Sequence, residues 1–320
     1  FFIPGAEPPA AETDGPPGAL VLAEALRLSG IDTTVITDGY CWNALAAAAR
    51  ALKFPQERLV RYPHPAGVSP VRATEVATTG LREEGASGAL NNAGPVAHPH
   101  HVPFTDFTGW RRQFLSLEGG LTHLIAVERV GPNHTLESLV RQPRTGEPPV
   151  AQFERLVPIA ARDHCHNMRG EVIDRFAGDM HLLFEEVRQY CPGAKTIGVG
   201  DGANEIGMGS VPWEELQCRL TGEQSGRVPC RVPCDWNIVA GTSNWGASAL
   251  AASVLYLRGQ GDQLAPFTAQ QQQRVLDEMV ARGPAVDGVT RRHEATVDGI
   301  PFATYIQPWE GIRRVLGLGD

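Results

Sequence analysis

Apolar residues recur along the chain in two alternating rhythms. Leu20, Leu22, Ala23 and Leu26 line one side of a helix predicted to begin near Pro17 and to end at Gly30. The next apolar run, residues 33–37, reads as a strand. Asp38-Gly39 then turns the chain into an alanine-rich helix over residues 42–52. Further strands are expected at residues 59–62, 123–128, 196–200 and 237–241, with helices over 177–190, 247–257 and 269–282. Alternation of this kind predicts an α/β fold, a mainly parallel sheet with helices on both faces in a Rossmann-like three-layer arrangement. Residues 1–320 read as a single domain.

Several stretches depart from that rhythm. Residues 68–101 are small, polar and glycine-rich, and they predict an inserted loop region extending to about residue 115. Residues 142–150 hold three prolines, and 219–233 are similarly irregular; both are expected to be surface loops. Val286-Asp287-Gly288 is echoed by Val297-Asp298-Gly299, which suggests two neighbouring turns.

Composition narrows the chemistry. A net charge of −8 and isolated arginine doublets argue against a nucleic-acid partner, which needs a clustered basic face. The most apolar stretch, residues 247–257, is far shorter than the ~20 residues a membrane span requires, so no membrane partner is expected. Six scattered cysteines form no C-x-x-C pair and read as reduced thiols. Lys53 and Lys195 are the only lysines, which leaves little room for pyridoxal chemistry, and no Walker loop points to a nucleotide.

In an open parallel sheet, ligands bind outside the carboxyl ends of the strands. Asp38, Glu128-Arg129, Asp201 and Ser243-Asn244 each follow an expected strand, so all are candidates, although an aspartate there is also a common helix cap. In the glycine-rich run from Gly198 to Gly209, Asp201, Asn204 and Glu205 offer the oxygen ligands that Mg²⁺ or Mn²⁺ prefers. If that run opens a helix, their spacing places them on one face. Glu12-Thr13-Asp14 stands just before the first helix, where a cap explains one carboxylate but not both. Asn167-Met168-Arg169-Gly170-Glu171 combines an amide and a guanidinium suited to a substrate carboxylate, or merely to a surface ion pair with Glu171. His98, His100, His101, His164 and His166 match no zinc-ligand spacing.

Taken in order, Glu12 to Gly18, Glu128-Arg129 with Gly131, Asn167 to Gly170, Gly200 to Gly209 and Ser243-Asn244-Trp245-Gly246 make the chain resemble the D-glutamate cyclase family along nearly its whole length. The resemblance implies a lyase that closes D-glutamate into 5-oxo-D-proline with loss of water. It implies a mitochondrial matrix protein with a separate hydratase-like domain ahead of this one, and a first strand preceding Phe1. Under that reading Glu12, Asp14, Glu128 and Glu205 are the catalytic carboxylates. Thr13, Asp38, Arg129, Asn167, Arg169, Ser243 and Asn244 bind substrate, and Asp201, Asn204 and Glu205 hold the cation. A metal-dependent hydrolase of a related small acid and a non-catalytic glutamate-binding module are the alternatives.

Overall fold

The computed structural model describes residues 1–63, 107–116 and 120–318. The inserted region expected at 68–101 lies outside the described residues, as do His98, His100 and His101; the described part of its extension to 115 is helical. In chain order the elements are β1 (Phe2–Ile3), β2 (Ala10–Ala11), α1 (Pro16–Leu28), β3 (Val35–Thr37), α2 (Trp42–Leu52), β4 (Leu59–Arg61), α3 (Phe107–Leu115) and β5 (His123–Val127). Next come α4 (Leu136–Arg141), α5 (Val150–Leu156), α6 (Asp174–Ala177), α7 (His181–Tyr190), β6 (Lys195–Gly200), α8 (Trp213–Gln217) and β7 (Trp236–Val239). The remainder is helical: α9 (Ser243–Leu257), α10 (Ala269–Arg282), α11 (Phe302–Tyr305) and α12 (Gln307–Val315).

The fold is α/β, with parallel strands flanked by helices. β5, β6 and β7 form a parallel sheet in that order, with Ala126 opposite Gly198 and Gly198 opposite Asn237. β3 and β4 form a second parallel pair, Val35 opposite Leu59. Side chains alternate across the strands, so each strand serves two layers. Val35 and Leu59 pack with Ala44 and Leu45 of α2 and Met279 of α10. Ile36 and Val60 turn the other way, toward Trp110 of α3 and Leu183 and Val187 of α7, where Leu124 of β5 joins them. Val127, Ile197 and Val199 face Leu22 and Ala25 of α1 and Ala251 and Leu255 of α9. Full burial of a side chain such as Leu255 contributes about 1.5–3 kcal/mol, so this alternation fixes which face of each strand is covered.

The differences from the sequence reading have local causes. The helix expected over 177–190 is broken, because Gly178 and Asp179 adopt positive φ between α6 and α7. α9 begins at Ser243 rather than 247, where the Thr242 hydroxyl caps it by accepting from the Trp245 amide. Residues 219–233 are not simply a surface loop. Val228, Cys230 and Val232 are buried, the last two against Ala126, Ile206 and Met208; the Cys230 amide donates to the Ala203 carbonyl and the Arg231 amide to the Pro132 carbonyl. Their spacing of two was masked by intervening prolines. Gln142 likewise is buried, donating to the carbonyls of Gly209 and Val211 and accepting from the Trp213 amide. No described helix is long and apolar enough to cross a membrane.

Candidate active site

Parallel strands end in register, and the loops that leave β5 and β6 meet the N-termini of α1 and α9. Gly15 makes the meeting possible: its φ of +94° is open to glycine, and a Cβ there would lie 2.6 Å from Cβ of Glu128. Asp14, just before it, is buried and accepts from the Ser243 amide at 2.7 Å and the Asn244 amide at 2.9 Å. Its carboxylate thus sits at the N-terminus of a 15-residue helix, where the helix dipole favours an anion. Asn244 returns the contact, its Oδ1 accepting from the amides of Gly15 and Gly18. The Ser243 hydroxyl donates to Glu128, which ends β5 with φ +50°. Asp14, Glu128 and Asp201 each bring one carboxylate oxygen to within 4.8 Å of the others.

The glycine-rich run after β6 does not open a helix. Residues 201–210 form turns and isolated bridges, and the chain folds back against the segment after β5. Val130 bridges Glu205, the Gly131 amide donates to the Asn204 carbonyl, and the Ile206 amide donates to the Arg129 carbonyl. The return passes across β6, where a Cβ on Gly198 would lie 2.4 Å from the Ile206 carbonyl oxygen. This places Glu205 beside the cluster. Its Oε1 accepts from the Gly202 amide at 2.9 Å, while Oε2 is buried without a hydrogen-bond partner. The expected cation set therefore changes membership: Asp201 is grouped with Asp14 and Glu128. Asn204 donates through Nδ2 to the His166 carbonyl, and its Oδ1 is likewise buried and unpartnered.

Two further acids come from the C-terminal loop. Asp287 is fully buried, and its carboxylate accepts from the amides of Val289, Thr290 and Gly299 and from the Thr296 hydroxyl. That anchor holds the turn carrying Asp298, whose carboxyl faces Asp201. The echo of Val-Asp-Gly in the sequence was the signal for this pair. Thr13 donates to the Thr296 carbonyl at 2.6 Å and ties the same loop to the start of α1. Replacing Asp287 by alanine orphans several donors, each costing about 1–3 kcal/mol if it stays buried. A large fall in melting temperature, read by circular dichroism, is the expected result.

Crowding of like charges in a desolvated site governs the electrostatics. Burial, then repulsion from Glu128, lifts Glu205 to about 8. Burial and then Glu128 also push Asp14 well above the usual carboxylate range, against the pull of its bond to the Asn244 amide. Asp201 is displaced upward by burial, followed by Glu128, Glu205 and Asp14. Glu12 is buried and also raised, chiefly by desolvation. Asp201 approaches both Glu205 and Asp298 carboxyl to carboxyl, a contact that is favourable only when one member carries a proton. The cluster therefore calls for protons or a cation.

The other candidates lie around this centre. Asp38 and Arg129 form a buried ion pair; Asp38 also accepts from the amides of Tyr40 and Cys41, and Arg129 donates to the Ala177 carbonyl. Asn167 shapes its loop, accepting from the amides of Arg169 and Glu171 and donating to the Glu171 carboxylate. Arg169 is exposed, and among the described residues its guanidinium has no ion pair with Glu171. Its neighbour Met168 packs against Gly202, which brings that loop to the rim of the cluster. His164 pairs with Asp174, and His166 Nδ1 faces the His164 carbonyl. Arg129→Ala leaves Asp38 buried without its cation, a change that typically costs about 3–5 kcal/mol. Arg169→Ala is expected to leave thermal stability within about 0.5 kcal/mol of the parent, and paired denaturation curves check both outcomes.

An α/β scaffold that gathers carboxylates at the ends of parallel strands places them where such folds commonly bind ligands, and their oxygens suit proton exchange or a hard cation. The sequence narrows this chemistry. The family model described as D-glutamate cyclase-like, C-terminal, matches residues 1–139 and 150–312, and the chain belongs to that family. It is 26% identical over 251 residues to the human protein named D-glutamate cyclase, mitochondrial. The match covers 78% of this chain and 30% of that relative.

Proposed function

We propose that this chain cyclises D-glutamate to 5-oxo-D-proline and water, with the carboxylate cluster as its active site. The observation that carries the reading is the convergence of Asp14, Glu128 and Asp201 with the buried, unpartnered Oε2 of Glu205. Family membership supports the same reaction. In that reaction the amine nitrogen bonds to the γ-carboxyl carbon and one carboxylate oxygen leaves. The ammonium gives up two protons, and the departing oxygen needs two to become water. No proton is consumed overall, so the site must take protons from nitrogen and return them to oxygen. Carboxyls whose affinity for protons is raised toward neutrality suit both roles.

Each role then falls to a residue by position. Glu205 Oε2 receives no amide, hydroxyl or guanidinium donor, and this carboxyl is assigned the proton from the amine. Glu128, hydrogen-bonded by Ser243, and Asp14, fixed on the α9 amides, are held too firmly to swing and serve as fixed oxygen donors. Asp14, Glu128 and Asp201 would hold Mg²⁺ or Mn²⁺, both of which accept such oxygen donors. Bound there, such a cation supplies positive charge that offsets the cluster and polarises a carboxylate oxygen. The fit is physical, because a substrate with two carboxylates cannot approach uncompensated buried carboxylates. Arg169, on the exposed loop beside Gly202, is the cation assigned to a substrate carboxylate. Holding the bent conformer of glutamate supplies further acceleration, since the ring closure is intramolecular. We also place the chain in the mitochondrial matrix, behind a hydratase-like N-terminal domain, a reading supported by the human relative's name and its greater length.

Arg169→Lys keeps the charge but loses the planar fork, so KM for D-glutamate is expected to rise about tenfold with little change in melting temperature. Unchanged kinetics would remove Arg169 from the site. A panel of D-glutamate, D-glutamine and N-acyl glutamate, assayed for 5-oxoproline, ammonia and free acid, separates cyclisation from hydrolysis. Ammonia or acid release without ring closure would favour the hydrolase reading. Saturable glutamate binding with no product at all would leave a binding module.

A further inference from the structure

The cyclase reading assigns the cation to three carboxylates and leaves open what recognises the substrate's amine. We propose that Asp298, with Glu12 behind it, forms the subsite for the α-ammonium group, which makes Asp298 a specificity-determining residue; the proposal rests on the cyclase reading above. Three observations converge on this assignment. Asp298 is only partly buried beside Asp201, and its Oδ2 is enclosed and receives no amide, hydroxyl or guanidinium donor. Glu12 and Asp298 meet over Gly288: a Cβ there would lie 2.6 Å from Glu12 Oε2 and 3.5 Å from Asp298 Oδ1. The bare Cα of Gly288 thus leaves room for two carboxylates side by side. On the far side, Glu205 is 2% exposed with an unpartnered Oε2, and it faces the same Asp201 that Asp298 faces.

Charge decides which ligand fits. A divalent cation on Asp14, Glu128 and Asp201 offsets part of the negative charge of that set, and Asp298 adds to what remains. D-Glutamate brings an ammonium that can pair with that carboxylate and carries one net negative charge, whereas glutarate brings two and nothing to pair. The subsite is also built rather than incidental. Asp287 fixes the loop by four hydrogen bonds to the backbone of Val289, Thr290 and Gly299 and the hydroxyl of Thr296. Asp298 sits at φ +53° in the tight turn between Val297 and Ile300, a conformation aspartate and asparagine tolerate. Asp298→Asn therefore removes the charge while keeping the turn.

The test compares D-glutamate with glutarate, which has both carboxylates and no amine. In Asp298→Asn, KM for D-glutamate is expected to rise about 10- to 100-fold, the loss typical of a charge-assisted hydrogen bond, with the inhibition constant of glutarate unchanged within about twofold. Mn²⁺ stoichiometry should match the parent, and the melting temperature of the cation-free variant should not fall below it. An equal loss for both ligands, or no loss for either, overturns the proposal. A drop in Mn²⁺ stoichiometry also overturns it, because Asp298 would then be a metal ligand. If the parent chain binds D-glutamate without making 5-oxoproline, the cyclase reading has failed by itself, and calorimetric dissociation constants replace KM in the same comparison. Absence of binding for both ligands to the parent overturns both.

Discussion

Asp201→Asn is expected to lower turnover of D-glutamate by about 10³-fold or more while raising the melting temperature of the cation-free chain. The loss follows from removing one of three oxygens positioned for a cation, where stabilisation of developing charge is commonly worth several kcal/mol. The gain follows from the same geometry. Asp201 is held among Glu128, Glu205, Asp14 and Asp298, all of which disfavour its ionised form after burial has already done so. Asparagine keeps the shape and removes a source of repulsion. A stabilisation of ~1 kcal/mol would appear as a rise of about 2–4 °C in a chain of this size. Activity and stability moving in opposite directions is the signature of a functional site that the fold tolerates at a cost. An inactive variant that is also less stable would mean that Asp201 holds the loop together rather than serving the reaction.

Stability of the cation-free chain is expected to fall as pH rises, the reverse of ordinary acid denaturation. Glu205 is lifted from 4.5 to about 8, so the folded chain binds its proton more tightly than the unfolded chain does. Its contribution is complete below 4.5 and is lost as pH climbs through about 8. Asp298, raised to about 6 by burial and then Glu128, acts in the same direction over a lower window. Each such group adds a slope of at most about 1.4 kcal/mol per pH unit. Asp235 and Asp287, both depressed, have the opposite sign, but their effect is confined to the acid side of the normal aspartate value. Buried His134, His166 and His181, all lowered, oppose the decline up to their ordinary value of 6.5, so melting temperatures should fall most clearly between about pH 6.5 and 8. Added Mn²⁺ at about 100 times its dissociation constant should raise stability by about 2.7 kcal/mol and flatten the decline, because the cation replaces the protons. A profile that is flat or rising without metal would contradict the charge balance described here.

Much of the scaffold was legible in the chain because hydrophobic periodicity reports burial directly. The run from Val35 to Thr37 and the alanine-rich α2 stand where their patterns put them. The same reasoning placed Glu128, Asp201 and Ser243 at strand ends, and they do meet there. What escaped was non-local. Asp201, Asn204 and Glu205 were read as one helical face, but the segment pairs with residues 129–131, and no local pattern encodes which distant strand a turn will return to. Asp14 read as a catalytic carboxylate, with a cap for its own helix as the plainer alternative. It caps α9 instead, more than two hundred residues away, because Gly15 lets the two N-termini touch. Asp38 and Arg129 were read separately as substrate contacts, while the structure pairs them with each other. Asp298 was visible only as half of a repeated tripeptide, since a lone aspartate in a loop has no periodicity to mark it.

The most direct test of the central claim is chiral chromatography of D- and L-glutamate incubated separately with the purified chain, with Mg²⁺ or Mn²⁺ supplied. 5-Oxo-D-proline should accumulate from D-glutamate in proportion to protein, with no matching product from the L-isomer. Absence of 5-oxo-D-proline under those conditions, with the chain folded and the cation bound, would contradict that claim.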